Sequence, residues 1–381
     1  MMTLENNNAI NKSKRKYLNI QLLRFVAALM VVLVHSTFYV NERLWPHFTI
    51  YDEGVRGVRL FFVISGMVMV LSSEQLRVAD KGWVIFAVKR VVRIVPLYWL
   101  VLILKIIALS FTNFALHSQI DTFYYLQSFL FVPAKGLDGA ITPLHGVGWT
   151  LNFEMFFYFL FTVALFFRIR PLAIIAPVLI LLTLISPYRS SDWPVALQFY
   201  ANGAVLDFFA GMLIAYWCQR GLALSKGLSW VFVVAGLAGL FAPVQWPEMP
   251  ELAGSLLITT LSVLVIVGAA ALEPSAGRIM PRWAIFMGSA SYALYLVHPL
   301  VAPGAPWLFA KLGIMLPWVA AALSVAVALV SGALLYIVAE VPITDYFGRL
   351  VGQLAFMKAQ RRVLTDQPPL PISHEEAAAK T

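Results

Sequence analysis

Residues 22–36 read LLRFVAALMVVLVHS, an apolar run with a cation near one end and an imidazole near the other. A run of this kind reads as a membrane span. Arg24 and His35 are eleven positions apart. At 100° per residue that returns to within about 20° of one helix face, with an axial rise of roughly 16 Å. Ionisable side chains inside a span are costly and mark a site by default. The structural alternative is that Arg24 snorkels to the inner interface and His35 to the outer one.

Composition extends that reading to the whole chain. Of 381 residues, 60% are hydrophobic and 12% charged, against about a quarter charged in soluble domains. The class is therefore an all-α, polytopic integral membrane protein. A net charge of +9 would suggest nucleic acid as partner of a soluble domain. Here the positive charge falls in short loops on one side, which the positive-inside rule explains, so no nucleic acid is expected. Cys218 is the sole cysteine, which excludes an internal disulfide and a cysteine metal cluster. The first apolar run is too long for a signal-peptide core and is expected to stay as an anchor.

Ten apolar segments are expected, at 20–40, 57–73, 84–109, 149–168, 171–187, 202–218, 228–244, 253–272, 284–301 and 317–339. Residues 1–19 form a basic segment (Lys12, Lys14, Arg15, Lys16), which puts the N-terminus in the cytoplasm. Alternation from there places Arg77, Lys81, Lys89, Arg90, Arg93, Arg168, Arg170, Arg220, Lys226, Arg278, Arg282, Arg349, Lys358, Arg361 and Arg362 inside. Only Arg43, Arg56, Arg59, Lys135, Arg189 and Lys311 fall outside. Both termini are thus expected in the cytoplasm, in the inner membrane of the cell. The membrane domain spans 20–340, and 341–381 reads as a partly disordered cytoplasmic tail. The long outer connection at 110–148 carries an aromatic patch (Phe123, Tyr124, Tyr125, Phe129, Phe131) suited to the interface.

The intramembrane polar residues fall into two layers. Near the inner face lie Arg24, and Arg90 with Arg93, which are three apart on one helix side and precede Pro96. Near the outer face lie His35, Arg59, His145, Glu154 and His298. Tyr158 follows Glu154 at i+4, and Tyr295 with Ser291 makes a polar stripe with His298. Asp207 falls mid-span and needs a partner. It either binds a substrate group or braces a helix through an arginine. No phosphate loop or GxSxG elbow occurs, so nucleotide hydrolysis and hydrolase-type serine chemistry lack support. No HExxH spacing occurs, and no metal is expected.

Several motifs, in order, resemble the acyltransferase family 3 membrane proteins, most closely their exopolysaccharide and lipopolysaccharide O-acetyltransferase branch. These are Arg24–x10–His35, RGVRLFFVISG at 56–66, the Arg90/Arg93 pair in KRVVRIVPLYW, Trp149 to Tyr158, and SYALYLVH at 291–298. One position departs: the usual acidic residue of the second motif is Arg59 here. The resemblance implies acetyl transfer from cytoplasmic acyl-CoA (acetyl-CoA as co-substrate, no bound cofactor) to a hydroxyl of a polysaccharide or lipid-linked glycan. Membrane lipid surrounds the chain, and polysaccharide assembly proteins are conceivable partners. Arg24, Arg90 and Arg93 would hold the CoA phosphates. His35 would act as general base and Glu154 would orient an imidazole. Arg59, Trp149, Tyr158, Asp207, Tyr295 and His298 would serve the acceptor or support the site. The rival class is a transporter or flippase for a small solute or lipid-linked sugar, because buried ionisable residues also mark transport paths. A non-catalytic subunit of a polysaccharide assembly complex is the third reading.

Overall fold

The computed structural model describes residues 17–110, 122–136, 139–243 and 249–350. The basic run ending at Lys16 and the tail from 351 lie outside the described residues. The elements are α1 (Leu18–Arg43), α2 (Gly57–Val78), α3 (Gly82–Ser110), α4 (Thr122–Phe129), α5 (Trp149–Phe166), α6 (Pro171–Ile185) and α7 (Val195–Tyr200). They continue with α8 (Val205–Gln219), α9 (Lys226–Phe241), α10 (Glu251–Ala276), α11 (Arg282–Ser289), α12 (Ser291–Val301), α13 (Gly304–Lys311) and α14 (Pro317–Leu335). A π-helical turn, Tyr336–Glu340, follows α14. Among the described residues the one β feature is an isolated bridge between Lys135 and Ile141.

Among the described residues, eight helical stretches are long and apolar enough to cross a membrane. All ten expected segments are helical, but α8 and α9, with 15 and 16 residues, are shorter than the roughly 20 residues that a hydrocarbon core requires. The ninth expected segment is corrected. The chain breaks at Ala290 between α11 and α12, and the apolar stretch long enough to span runs Ser291–Lys311. The break leaves Gly288 seated on the backbone of Gln21 in α1, a contact in which a Cβ would collide. His298 therefore lies within a span rather than at its end. The helix after the π turn continues to Leu350.

α1 is the hub, packing against α2, α10, α11, α12 and α14. Its buried residues (Leu23, Ala27, Ala28, Met30, Val31, Val32) cover most of its circumference, as expected of a helix enclosed by others. Its N-terminus has no acidic residue in the first turn and no side-chain cap of its own. Instead Glu273 of α10 accepts from the Leu18 and Asn19 amides, at 2.7 and 2.9 Å. Those are two of the donors that every helix start leaves open.

α2 and α8 meet through a reciprocal pair of glycines. Gly66 of α2 lies on the Phe208 carbonyl of α8, and Gly211 of α8 lies on the Val63 carbonyl of α2. Any side chain at either position would overlap main-chain atoms, so the close approach requires glycine. This contact fixes where Arg59 and Asp207 stand.

Candidate active site

A cavity of about 800 Å³, open solvent at its mouth included, opens among α1, α2, α3, α5 and α12. Its polar lining comprises Arg24, Ser65, Arg90, Arg93, Thr150, Glu154, Tyr158, Ser291, Tyr292 and Tyr295, with Phe61 and Phe62 among the apolar groups. The arginines are held as well as gathered. Arg90 donates to the Ser72 hydroxyl, and its guanidinium lies 5.2 Å from the Phe86 ring centre and 5.6 Å from that of Tyr158. Arg93 lies 5.7 Å from the Tyr292 ring centre and pairs with Glu340 at 2.5 Å. Arg24 shares the electrostatic neighbourhood of Arg93, Glu340 and Glu154.

Glu340 joins two helices. One carboxylate oxygen takes Arg93 of α3, and the other accepts from the Ala293 amide at 3.1 Å, in the uncapped first turn of α12. A carboxylate suits a helix N-terminus on hydrogen-bonding and dipole grounds. The wider π turn ends at Glu340, which is buried; such turns recur at functional sites.

Further along α1, toward its C-terminal end, lies a layer of three imidazoles. The His35 and His298 rings have centroids 4.9 Å apart. His145 is buried and shares their electrostatic neighbourhood. Each ring has one nitrogen against a backbone carbonyl: His35 Nδ1 on Val31 at 2.9 Å, His145 Nε2 on Leu296 at 2.9 Å and His298 Nδ1 on Leu294 at 3.2 Å. A carbonyl only accepts, so those nitrogens carry the protons, and the neutral ring keeps a lone pair on the other. His298 and His145 are fully enclosed, with that second nitrogen unpartnered. His35 is the partly exposed member. Burial pushes His145, outside the spans, down to about 4.

Tyr295 connects the two layers. It lines the cavity, its ring centroid is 5.9 Å from that of His298, and its hydroxyl donates to the Val147 carbonyl at 2.9 Å. The same oxygen accepts from Thr150 at 3.0 Å.

Two sequence expectations change. Glu154 belongs with the arginines, not beside an imidazole. It lines the cavity with all three, accepts from Tyr158 at 3.3 Å and lies within hydrogen-bond reach of Ser65. The cavity lining includes none of the three histidines. A partly buried carboxylate is best compensated by guanidinium charge, and Arg24 and Arg90 supply it. Arg59 likewise leaves the histidine layer. It pairs with Asp207 through two nitrogens, and its Nη2 also reaches the Ser255 carbonyl at 3.1 Å and the Ser255 and Thr259 hydroxyls, each at 2.9 Å. Asp207 is fully buried. Through Arg59 it ties α2 to α8 and α10, the geometry that a helix brace requires.

Trp149 stands at the start of α5, in T-shaped contact with Phe62 and Phe153. Sequence reasoning overlooked Glu340, Ser65, Thr150 and Tyr292. Glu340 was findable, since a carboxylate closing the last apolar run obeys the same rule as Asp207. Ser65, Thr150 and Tyr292 carry no such signal.

Residues 17–337 match the acyltransferase domain family, and the chain belongs to it. The protein is thus a multi-pass membrane acyltransferase. Over 266 residues it is 33% identical to the exopolysaccharide production protein ExoZ of Rhizobium meliloti (strain 1021), an alignment covering 68% of this chain and 80% of that one. No solved structure matches it.

Proposed function

We propose that this protein O-acetylates an exported polysaccharide, or its lipid-linked precursor, using acetyl-CoA from the cytoplasm. The observation that carries the reading is the arrangement of the two layers on α1: a guanidinium-rich cavity around Arg24, and a neutral imidazole at His35 roughly 16 Å along the same helix. Three guanidiniums against the carboxylates of Glu154 and Glu340 leave net positive charge in a low-dielectric site, which suits the phosphates of CoA. The extended pantetheine arm then spans the distance to the histidine layer.

At that layer the Val31 carbonyl fixes the His35 tautomer, so Nε2 accepts the proton of the acceptor hydroxyl. The sugar oxygen attacks the thioester carbonyl and the C–S bond breaks. CoA leaves as thiolate and is protonated, and an O-acetyl ester forms. Glu154 balances the arginines and orders Tyr158. The similarity to an exopolysaccharide production protein supports an exopolysaccharide acceptor. In this reading α8 and α9 complete ten crossings, with both termini in the cytoplasm and the chain in the inner membrane.

The test supplies inverted membrane vesicles with acetyl-labelled acetyl-CoA and compares wild type with His35→Ala at matched expression. Label reaching glycan, with free CoA thiol released, in wild type alone supports the reading. No consumption of acetyl-CoA by wild type in the presence of glycan overturns it in favour of transport.

A further inference from the structure

A second concavity, of about 970 Å³ with the open solvent at its mouth included, lies between the segment 141–149 and the segment 189–202. Both segments sit at the end of the bundle where α5 begins and α6 ends. Its floor is aromatic. Phe153 and Phe199 stack at 4.5 Å, and the partly exposed Trp149 ring abuts Phe153 at 5.9 Å. The rim carries amides held in fixed orientations. Asn202 Oδ1 accepts from the Ala204 amide at 2.9 Å, which leaves its NH2 group as donor. Gln198 Nε2 donates to the carbonyls of Ser191, at 2.9 Å, and Trp193, which leaves its side-chain oxygen as acceptor.

We infer that this groove binds a neutral pyranose ring of the acceptor glycan, one ring face on the Trp149–Phe199 floor and its hydroxyls against Asn202 and Gln198. A hydroxyl both donates and accepts, so it satisfies a fixed donor and a fixed acceptor together. A phosphate or carboxylate group has no proton for Gln198. The rim's charges are already engaged: Arg189 faces Glu251 at 3.7 Å, and Ser190 holds Asp192. An apolar floor with a few oriented polar groups is the general form of a small-ligand site. The groove also adjoins the segment that carries His145. Thr142 and Trp149 line it, while His145, between them in sequence, reaches the Leu296 carbonyl in the helix that carries His298.

The inference rests on the acyltransfer reading for the identity of the ligand, and two measurements separate them. The probe is exopolysaccharide from the producing cells, deacetylated with mild alkali. With the protein in detergent micelles, which leave both of its faces open to the polysaccharide and to the thiol reagent used below, Asn202→Asp keeps the acceptor for Ala204 and removes the donor. The polysaccharide concentration for half-maximal acetyl transfer is expected to rise about tenfold, with that for acetyl-CoA changing less than about twofold. Separately, Ser191→Cys in a Cys218→Ser chain places one thiol at the exposed rim. The polysaccharide is expected to slow its labelling by a membrane-impermeant maleimide. Transfer without protection, or with an unchanged half-maximal concentration in Asn202→Asp, overturns the groove. Protection without transfer in wild type supports the groove and overturns the acyltransfer reading; neither protection nor transfer overturns both.

Discussion

Arg93 and Glu340, 247 positions apart in the chain, meet at 2.5 Å, and the same carboxylate closes the first turn of α12. Removing the carboxylate leaves a guanidinium and a helix amide uncompensated. Glu340→Ala is expected to cost about 3 kcal/mol, near the low end for a broken buried pair because Arg93 keeps some access to water. Glu340→Gln, which retains an acceptor for Ala293, is expected to cost less. Thermal unfolding in detergent, followed by retention of the monodisperse peak, ranks the two variants; equal melting points would refute the assignment.

The Arg59–Asp207 pair predicts a different pattern. Asp207→Leu alone strands Arg59 between α8 and α10, and low yield of folded protein is expected. Arg59→Met with Asp207→Leu is expected to recover most of that yield, since an apolar pair of similar volume often replaces a buried ion pair without loss. A double variant as damaged as Asp207→Leu would mean that the carboxylate has a duty beyond the brace.

For the chemistry, His35→Gln is expected to lower acetyl transfer by about 100-fold or more, within the range for a lost general base, with the acetyl-CoA requirement little changed. Arg90→Ala and Arg93→Ala are expected to show the reverse, a higher acetyl-CoA requirement. Titrating acetyl-CoA against each variant in vesicles distinguishes the two layers. An unchanged requirement in both arginine variants removes them from donor binding.

Gly66→Leu is expected to prevent the close contact of α2 and α8 and abolish accumulation of folded protein. Gly66→Ala is expected to cost about 1–3 kcal/mol, as overpacking does. Wild-type melting behaviour in Gly66→Ala would show that the two helices can separate freely.

His145 gives a pH prediction. Its folded value, about 4, lies below the usual 6.5 because burial disfavours the charged ring. The unfolded chain therefore binds the extra proton first. Stability that His145 leaves intact above 6.5 is lost as pH falls toward 4, by roughly 3 kcal/mol at most. His35 and Lys105 stand near enough to oppose its protonation. His145→Gln, whose amide can still donate to Leu296, is expected to lose less melting temperature between pH 6.5 and 4 than wild type.

Much of this site was legible because the membrane makes charge conspicuous. Arg24, Arg90 and Arg93 stood out against apolar neighbours, and they do line one cavity. Depth was harder to judge. Glu154 was grouped with the histidines by its distance from the start of its helix, but the cations that compensate it come from α1 and α3, whose placement no local pattern gives. Arg59 looked like a loss of a family acid. Its partner, Asp207, lies 148 positions away, and the pairing follows from two glycines meeting across α2 and α8. The break at Ala290 was missed because hydropathy continues through it.

The capping of α1 by Glu273 has a bearing on how the protein is made. Leu18 leaves the ribosome 255 residues before its acceptor does, an interval of roughly 10–50 s at ordinary elongation rates. Throughout that interval the hub helix has been threaded into the bilayer with its entrance amides still open to water. Its register is locked only when the tenth helix arrives, so a segment synthesised early is finished only by one made 255 residues later.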